Sequence, residues 1–321
     1  MNKPIYREAL LSAWRLVYKN TGLWLLGLLS ALFAGSFGLS NFFSQIMVTM
    51  STGGRAMWLV NFHRPDLGVD GVGGVLWLIW LTGILCVITL MVIYISVTAR
   101  CALMIAVADF YKKQAVPKIS KIWNAGLKSF WKIFTIELIR KAALCLIGII
   151  FGIIWIKLPF GNGGWYLIVD IITLALAVLL GWIISATTIF ASGYTIIDNK
   201  SIGEAFKKAW KLLHEHLLVS FEISAIMTLL DMLIIIIFGV LVSYSFIPSL
   251  FVWLLAGAFG STTMALFGTV FGFALLMIFI TIFGGIYNTF YTSVWMYLFM
   301  KMHHEGIFSR FIHHFGGFFR K

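Results

Sequence analysis

Long apolar stretches alternate along this chain with short segments that mix apolar and basic residues. A membrane-crossing helix needs about 20 predominantly apolar residues. Six stretches reach that length: Leu23–Met47, Gly74–Val97, Ile133–Ile156, Trp165–Gly193, Leu217–Val242 and Ala265–Met300. The strands of a membrane β-barrel would alternate apolar and polar residues, whereas these stretches are apolar on every side. The pattern therefore predicts an all-α polytopic membrane protein with six transmembrane helices.

The segments that precede the first, third and fifth spans resemble one another. Segments 8–16 and 204–212 share a Glu, two Ala, a Trp and a final Leu, and a basic residue follows each Trp. Segment 121–128 keeps the small residue, the bulky apolar residue and the base that follow one another. Apolar residues recur in all three at helical spacing. In the last copy, Ser201 and Glu204 form a capping-box pattern. We therefore predict three hairpins, each led by a cytoplasmic amphipathic interfacial helix.

The spans that return to the starting side are also related. Residues 95–109 align with 184–198 at a constant offset, and 287–301 is a looser third member. The chain is thus a single transmembrane domain of three repeats at approximately 4–110, 117–198 and 201–301, and 302–321 form an amphipathic basic tail. Because the repeats keep one topology, they favour a quasi-threefold or sequentially packed bundle over a transporter built from two inverted halves.

The basic residues are distributed unevenly between the two sides of the predicted bundle. Nineteen of the 24 Lys and Arg fall in the segments that carry the termini and lead helices, against three in the opposite loops. The positive-inside rule therefore places both termini in the cytoplasm. We expect a multi-pass protein of the cytoplasmic (inner) membrane of a prokaryote. Charged residues make up only 11% of the chain, against about 25% in soluble domains, which excludes an ordinary soluble enzyme. We favour an uncleaved first span over a signal peptide.

The basic lead helices and the tail predict contact with anionic lipid headgroups, each base contributing about 1 kcal/mol near the surface. The same distribution explains most of the net charge of +12, so no nucleic-acid partner is needed. A protein partner or a homo-oligomer remains open. The predicted lipid and interface residues are Trp14, Arg15, Trp123, Lys128, Lys207, Trp210, Lys211 and Arg310.

At these residues the chain resembles a known family. It is similar to the bacterial six-helix integral membrane proteins related to the membrane domain of glycerophosphoryl diester phosphodiesterase. Those proteins have lead helices with an Ala, a Trp and a following base, and a Tyr-rich closing span, here 291–297. In that family the hydrolase is a separate soluble barrel of about 250 residues, for which this chain has no room. The resemblance implies a fold and no activity.

Two carboxylates lie inside the fifth predicted span. Asp231 is about fourteen residues into it, and Glu222 lies nine residues earlier, on roughly the opposite face. An ionisable residue within a bilayer costs at least about 2.5–3.5 kcal/mol and marks a functional hypothesis. Glu137, Arg140 and Lys141 open the third span at spacings that allow an intrahelical ion pair. Together these five residues predict an intramembrane polar pathway.

A structural alternative exists for most of these residues. Glu137, Arg140, Lys141 and Glu222 could lie at the cytoplasmic interface with their charged ends in the headgroup layer, and we favour that interpretation for all four. Asp231 is too far along the predicted span to reach the headgroup layer. Its role is open between a polar contact with another helix and a functional group. The apolar connection 246–259 is too short to span, and we expect an interfacial helix there rather than a re-entrant segment.

The sequence contains no metal or cofactor motif that we can recognise. His303, His304, His313 and His314 lack metal-ligand spacing, and the three Cys lie far apart. We therefore expect no cofactor and no metal. The leading hypothesis is a non-enzymatic accessory or scaffold protein that contacts anionic lipid. A transporter or channel for a small or lipidic solute is the alternative, and an intramembrane lipid-modifying enzyme is the weakest hypothesis.

Overall fold

The computed structural model describes residues 5–34, 72–113, 115–157 and 164–305. Every regular element in these ranges is a helix. In chain order they are α1 Ile5–Lys19, α2 Gly22–Ala34, α3 Val72–Lys113, α4 Ile119–Lys157, α5 Gly164–Ile197, α6 Ile202–Glu215, α7 Leu217–Phe259 and α8 Thr262–Glu305. The predictions for the first external loop and for the tail, Arg310 included, fall outside the described residues.

Four of these helices are long and apolar enough to cross a membrane. The qualifying segments are Ile79–Lys113 in α3, Ile171–Ile197 in α5, Leu217–Phe259 in α7 and Thr262–His303 in α8. Helix α4 is as long but carries charged residues, and the described part of α2 is only 13 residues. These features agree with the predicted class of an all-helical membrane protein.

The three lead segments differ in how they join the following span. Helix α1 is separated from α2 at Asn20, whose side-chain amide donates to the Leu16 carbonyl at 3.0 Å. Helix α6 begins at the predicted cap, where Ser201 Oγ accepts from the Glu204 amide at 3.5 Å, and ends before His216. The middle lead segment is instead the first part of α4, which runs unbroken from Ile119 to Lys157. No Gly, Pro or Asn lies between the lead segment 121–128 and the predicted span that begins at Ile133.

Each lead segment packs against the returning helix of a neighbouring hairpin. The first part of α4 packs on α3, α6 packs on α5, and α1 packs on α8. The approach is close at Gly126, where an added Cβ would lie 2.9 Å from the Thr98 carbonyl oxygen. On α1, the Trp14 ring meets Phe290 edge-on at 6.3 Å. The contact of α1 with α8 thus brings the first described helix of the chain against the last.

The three returning helices α3, α5 and α8 contact one another at the centre, and the outgoing helices lie around them. Helix α2 packs between α3 and α8, and α4 packs between α3 and α5. Within the described ranges, α7 packs along α8 but not along α5. The third outgoing helix therefore departs from the arrangement of the other two.

The buried core lies at the end of the bundle that carries the lead helices, which we call the lead-helix end. Its main contributions are segments 96–104, 190–195 and 293–300 of the central helices. Towards the opposite end, large apolar side chains such as Ile79, Val178 and Ile236 are more than 60% exposed. An apolar patch of this extent is incompatible with water but suits hydrocarbon as the surrounding solvent.

The predicted connection 246–259 is helical and belongs to α7, so the expectation of a separate interfacial or re-entrant segment is wrong. Helix α7 continues through Pro248 and ends at Gly260, which has a left-handed φ of 60°. The Ser249 hydroxyl donates to the Gly268 carbonyl at 2.5 Å, and the Trp253 indole donates to the Thr269 hydroxyl at 3.2 Å. Packing against α8 thus holds this segment in the hairpin.

Candidate functional site

A buried ion cluster joins α3 to α4. The carboxylate of Glu137 is only 1% exposed and contacts a different arginine with each oxygen. Arg100 Nη1 lies 2.5 Å from Glu137 Oε1, and Arg140 Nη2 lies 2.8 Å from Glu137 Oε2. Both distances are well within the range of a direct ion pair. A single carboxylate therefore holds two guanidinium groups in place.

Helix geometry explains the contact between Glu137 and Arg140, and the packing of α4 on α3 explains the contact between Glu137 and Arg100. Glu137 and Arg140 are three residues apart on α4, so their side chains share one face of the helix. That face lies against α3, which carries Arg100. The close approach at Gly126, nearly three helical turns earlier on α4, brings the two backbones together. The arginine pair thus depends on the way α4 packs on α3.

Both arginines line a cavity of about 300 Å³ among the helices. Helices α2, α3, α4, α5, α7 and α8 all contribute to its wall. The lining residues are Ser30, Arg100, Met104, Arg140, Ser185, Ile189, Asp231, Tyr287, Asn288, Tyr291, Thr292, Trp295, Met296 and Phe299. The volume is at the lower end of the roughly 300–1,000 Å³ that small-ligand sites occupy. A polar wall with two arginines makes this cavity the candidate site.

Asp231 forms another part of the cavity wall. It is half-buried on α7, and the Tyr287 hydroxyl on α8 donates a hydrogen bond to its carboxylate. At 1.5 Å per residue, Asp231 lies about 21 Å along α7 from Leu217. Its side chain therefore faces a polar cavity and a tyrosine rather than lipid.

Hydrogen-bonding side chains fix the wall between α2 and α8. The Asn288 side-chain amide donates to the Gly27 carbonyl at 2.7 Å and also to the Ser30 hydroxyl. The Ser30 carbonyl accepts in turn from the Ser96 hydroxyl on α3 at 3.2 Å. These bonds link three helices around one side of the cavity, so its polar groups are held by a connected network.

The cavity wall carries a buried donor beside its two arginines. The Nε of Arg140 is buried and has no hydrogen-bond partner in the part of the chain that the structure describes. Arg100 and Arg140 supply two positive charges, and Glu137 and Asp231 supply two negative ones. A buried donor on a guanidinium group favours an anion as a further partner.

The predicted pathway residues are divided between the cavity and its surroundings. Arg140 and Asp231 line the cavity, and Glu137 is buried against Arg100 and Arg140. Lys141 and Glu222 are half-buried and are not among the lining residues. The cavity therefore joins Asp231 to Arg140 and not to Glu222.

The predicted interface residues lie mostly on exposed faces of the lead segments. Trp123 is half-buried, and those exposed are Trp14, Arg15, Lys128, Lys207, Trp210 and Lys211. On α6 the opposite face is buried through Ala205, Ala209, Leu212 and Leu213. The amphipathic reading of this helix is therefore confirmed, although its contact with lipid stays a prediction.

Sequence reasoning missed Arg100, Tyr287 and Asn288 as site residues. Arg100 was counted with the basic residues of the cytoplasmic segment, and the other two are uncharged. The internal alignment of the chain gave one indication of where in the bundle the site lies. The alignment of 95–109 with 184–198 pairs Arg100 with Ile189, and both residues line the cavity.

A second cavity of about 500 Å³ lies at the lead-helix end, between α1 and the ends of α3 and α8. Arg15, Lys112, Lys301 and Glu8 contribute to its wall. It is a surface feature beside the lead helices and does not include the buried ion cluster. Among the described residues, no three His, Cys, Asp or Glu side chains converge in a way that could hold a metal ion.

The fold and the central cavity together indicate a helical membrane protein with a charged polar site among its helices. Comparison of the chain with known protein families, curated proteins and solved structures finds no significant match.

Proposed function

We propose that this protein is an integral membrane protein that binds the anionic group of a small or lipidic solute in its central cavity. The observation that carries the proposal is the Arg100–Glu137–Arg140 cluster on the cavity wall. The two guanidinium groups share the carboxylate of Glu137, and Asp231, the other carboxylate of the cavity wall, accepts a hydrogen bond from Tyr287. An anion bound beside the arginines would offset the cost of burying the second positive charge. A phosphate or carboxylate between the arginines would supply that anion and accept their remaining hydrogen bonds.

The proposal includes the membrane arrangement predicted from the sequence. We place six spans as three hairpins in the cytoplasmic membrane of a prokaryote, with both termini and the lead-helix end in the cytoplasm. The charge distribution supports this orientation, since basic residues follow the lead segments. The related lead segments also support kinship with the membrane-domain family named above, which stays part of the proposal.

Single cysteines test the orientation. In a variant with Cys86, Cys101 and Cys145 replaced by Ala, Lys211→Cys on exposed α6 should react with a membrane-impermeant maleimide only in inside-out vesicles. Phe259→Cys, which is exposed at the opposite end of α7, should react only in right-side-out vesicles. Reversed labelling would exclude the proposed orientation, and labelling of both positions from one side would exclude the hairpin.

Substitution of a cavity arginine tests the binding site itself. We expect purified protein to bind phosphatidylglycerol in preference to the zwitterionic phosphatidylcholine, and Arg140→Gln to weaken phosphatidylglycerol binding about 10- to 100-fold. That range corresponds to the roughly 1.5–3 kcal/mol of a hydrogen bond to a charged group. Equilibrium binding to nanodisc or detergent-solubilised protein measures it, with thermal unfolding as the test that the variant is folded.

Lys211→Gln is the matched control for this substitution. Lys211 is exposed on α6 and lies outside the cavity, so its loss should change affinity at most about fivefold, the roughly 1 kcal/mol of one base near a lipid surface. Equal binding of both lipids by the wild-type protein, or unchanged affinity in folded Arg140→Gln, would contradict the proposal.

The accessory or scaffold role is the second candidate, and the exposed basic face of α6 favours it. Lys207, Lys208 and Lys211 are exposed on the side opposite the buried alanines. If the lipid contact is made there, the triple Lys→Gln variant should lose binding while Arg140→Gln keeps it. The same two variants therefore distinguish a surface contact from a cavity site.

Transport of the bound solute is a further candidate, favoured by the depth of Asp231 in the cavity wall. In that case the cavity would be the intermediate site of the route, and Asp231 would contact the solute as it leaves the arginines. Binding alone does not require this step. Flux in proteoliposomes that is lost in Asp231→Asn, with binding retained, would favour transport.

A further inference from the structure

The outgoing helices occupy unequal positions around the centre of the bundle. Helix α2 fills the groove between returning helices α3 and α8, and α4 fills the groove between α3 and α5. By the same rule α7 would fill the third groove, between α5 and α8. Within the described ranges it packs along α8 and does not pack along α5. The boundary between α5 and α7 is therefore the most loosely packed one in the ring of helices, and we call it the cleft.

A tryptophan side chain bridges this cleft. Trp182 on α5 is half-buried, and its indole Nε1 donates to the Ser224 hydroxyl on α7 at 2.6 Å. Its ring also meets Phe221 of α7 edge-on, with ring centroids 5.7 Å apart. The two helices are thus linked through a side chain that can rotate, whereas the other neighbouring helices are held by packing along their lengths.

The cleft lies directly beside the central cavity. Ser185 is three residues from Trp182 on α5, and Asp231 is seven residues from Ser224 on α7, so each lies on the same face as its partner. Both Ser185 and Asp231 line the cavity. The Trp182–Ser224 contact thus lies within one to two helical turns of residues that line the cavity.

The surface around the cleft is apolar although the cavity behind it is charged. Leu179 on α5 is 47% exposed, and Phe221 on α7 is 54% exposed. The cavity contains the two arginines held by Glu137. A molecule that satisfies both regions has an anionic end inside and hydrocarbon outside, which is the chemistry of an anionic membrane lipid.

We propose that the cleft between α5 and α7 is a lateral opening to the bilayer, gated by Trp182, through which the headgroup of an anionic lipid enters the central cavity. The acyl chains remain in the bilayer beside α5 and α7 while the headgroup lies against Arg100 and Arg140. This inference rests on the proposed function, because it specifies the source and the route of the anion that the cavity binds.

Removal of the gate tests the route. Phosphatidylglycerol that carries a fluorophore on one acyl chain is bound to the purified 321-residue protein in detergent micelles, and its release into excess unlabelled lipid is followed in time. We expect Trp182→Ala to accelerate release at least fivefold. Trp182→Phe should accelerate it less, because it keeps an aromatic ring in the cleft and loses only the hydrogen bond. Size-exclusion elution and thermal unfolding verify that the variants are folded.

Trp253→Ala provides a matched control. Trp253 also donates its indole N–H to a hydroxyl on another helix, but it lies far along α7 and does not line the cavity. Its replacement should leave the release rate unchanged. Two results would overturn the role of Trp182 as a gate. One is equal release rates in the wild type and in both Trp182 variants, and the other is an equal acceleration by Trp253→Ala.

A soluble headgroup distinguishes entry from the bilayer and entry from water. Glycerol 1-phosphate should compete for labelled phosphatidylglycerol at least 100-fold more weakly than unlabelled lipid does. Competition of equal strength would show that the cavity fills from water, which overturns this inference and leaves the proposed anion site standing. If the wild-type protein binds neither molecule, the proposed function fails and the inference fails with it.

Discussion

Replacement of Glu137 by Gln is expected to lower the free energy of unfolding by about 3–5 kcal/mol, the largest effect of any single substitution considered. The carboxylate is 1% exposed and is the counter-charge for both Arg100 and Arg140. Its neutralisation leaves two guanidinium groups facing each other in a region that water hardly reaches, and breaking a buried ion pair in this way costs about that amount. Denaturant or thermal unfolding of the purified protein in detergent measures the loss.

Two further variants separate the charge effect from the substitution itself. Glu215→Gln is the same chemical change at a surface pair, because Glu215 is 51% exposed and lies 3.8 Å from Lys211. It should cost less than about 1 kcal/mol. The double variant Glu137→Gln with Arg140→Gln should lose less stability than the sum of the two single variants, since the residues are coupled. An additive double variant, or equal costs at positions 137 and 215, would contradict the description of the cluster.

Gly285→Val is expected to have the second largest effect, a loss of about 3 kcal/mol in the free energy of unfolding. Helices α2 and α8 cross closely at Gly27 and Gly285. A Cβ at Gly285 would overlap the Trp24 carbonyl oxygen and lie 3.2 Å from its carbonyl carbon. Because the obstacle is backbone, the helices must move apart, and overpacking of this kind costs typically 1–3 kcal/mol.

The same displacement should also disrupt the hydrogen bonds in the cavity wall. Asn288 and Ser30 line it and are bonded across the same crossing, so separation of α2 from α8 breaks their contact. We expect weakened phosphatidylglycerol binding together with reduced thermal stability. Gly239→Val is the control, because an added Cβ at Gly239 on α7 meets no atom within 4 Å. Equal stability of the two variants would show that the crossing is looser than described.

Helical periodicity and hydropathy were sufficient to predict the class of fold and the lead helices. The buried alanines of α6 and its Ser201 cap lie where the amphipathic pattern and the capping box placed them. The junctions could not be predicted in the same way. Whether a lead segment continues into its span, as α4 does, or breaks as at Asn20, depends on a few residues and on how the segment packs against its neighbour.

The candidate site was predictable only where its residues lie on one helix. Glu137 and Arg140 are one turn apart, so their pairing followed from spacing, and Asp231 was identified by its depth. Arg100 could not be assigned, because its contact with Glu137 depends on the register between α3 and α4. Tyr287 and Asn288 carry no charge and lie in an apolar helix, where nothing in the sequence distinguishes a partner of Asp231 or Gly27 from ordinary packing.

The segment 246–259 shows the limit of reasoning from apolar length. Its uncharged composition suited a segment lying in the membrane interface, and Pro248 was compatible with a break. In the structure α7 runs through it, and bonds from Ser249 and Trp253 to α8 hold it there. Contacts with a partner helix decided its conformation, and such contacts are not visible in a single segment of sequence.

An electron cryomicroscopy structure in nanodiscs that contain phosphatidylglycerol tests the central claim most directly. The account predicts density for a headgroup in the central cavity, within hydrogen-bonding distance of Arg100 and Arg140, that is absent in folded Arg140→Gln. It also predicts acyl-chain density passing between α5 and α7 beside Trp182. A cavity without lipid density in the wild-type protein, or headgroup density that persists unchanged in Arg140→Gln, would contradict the account.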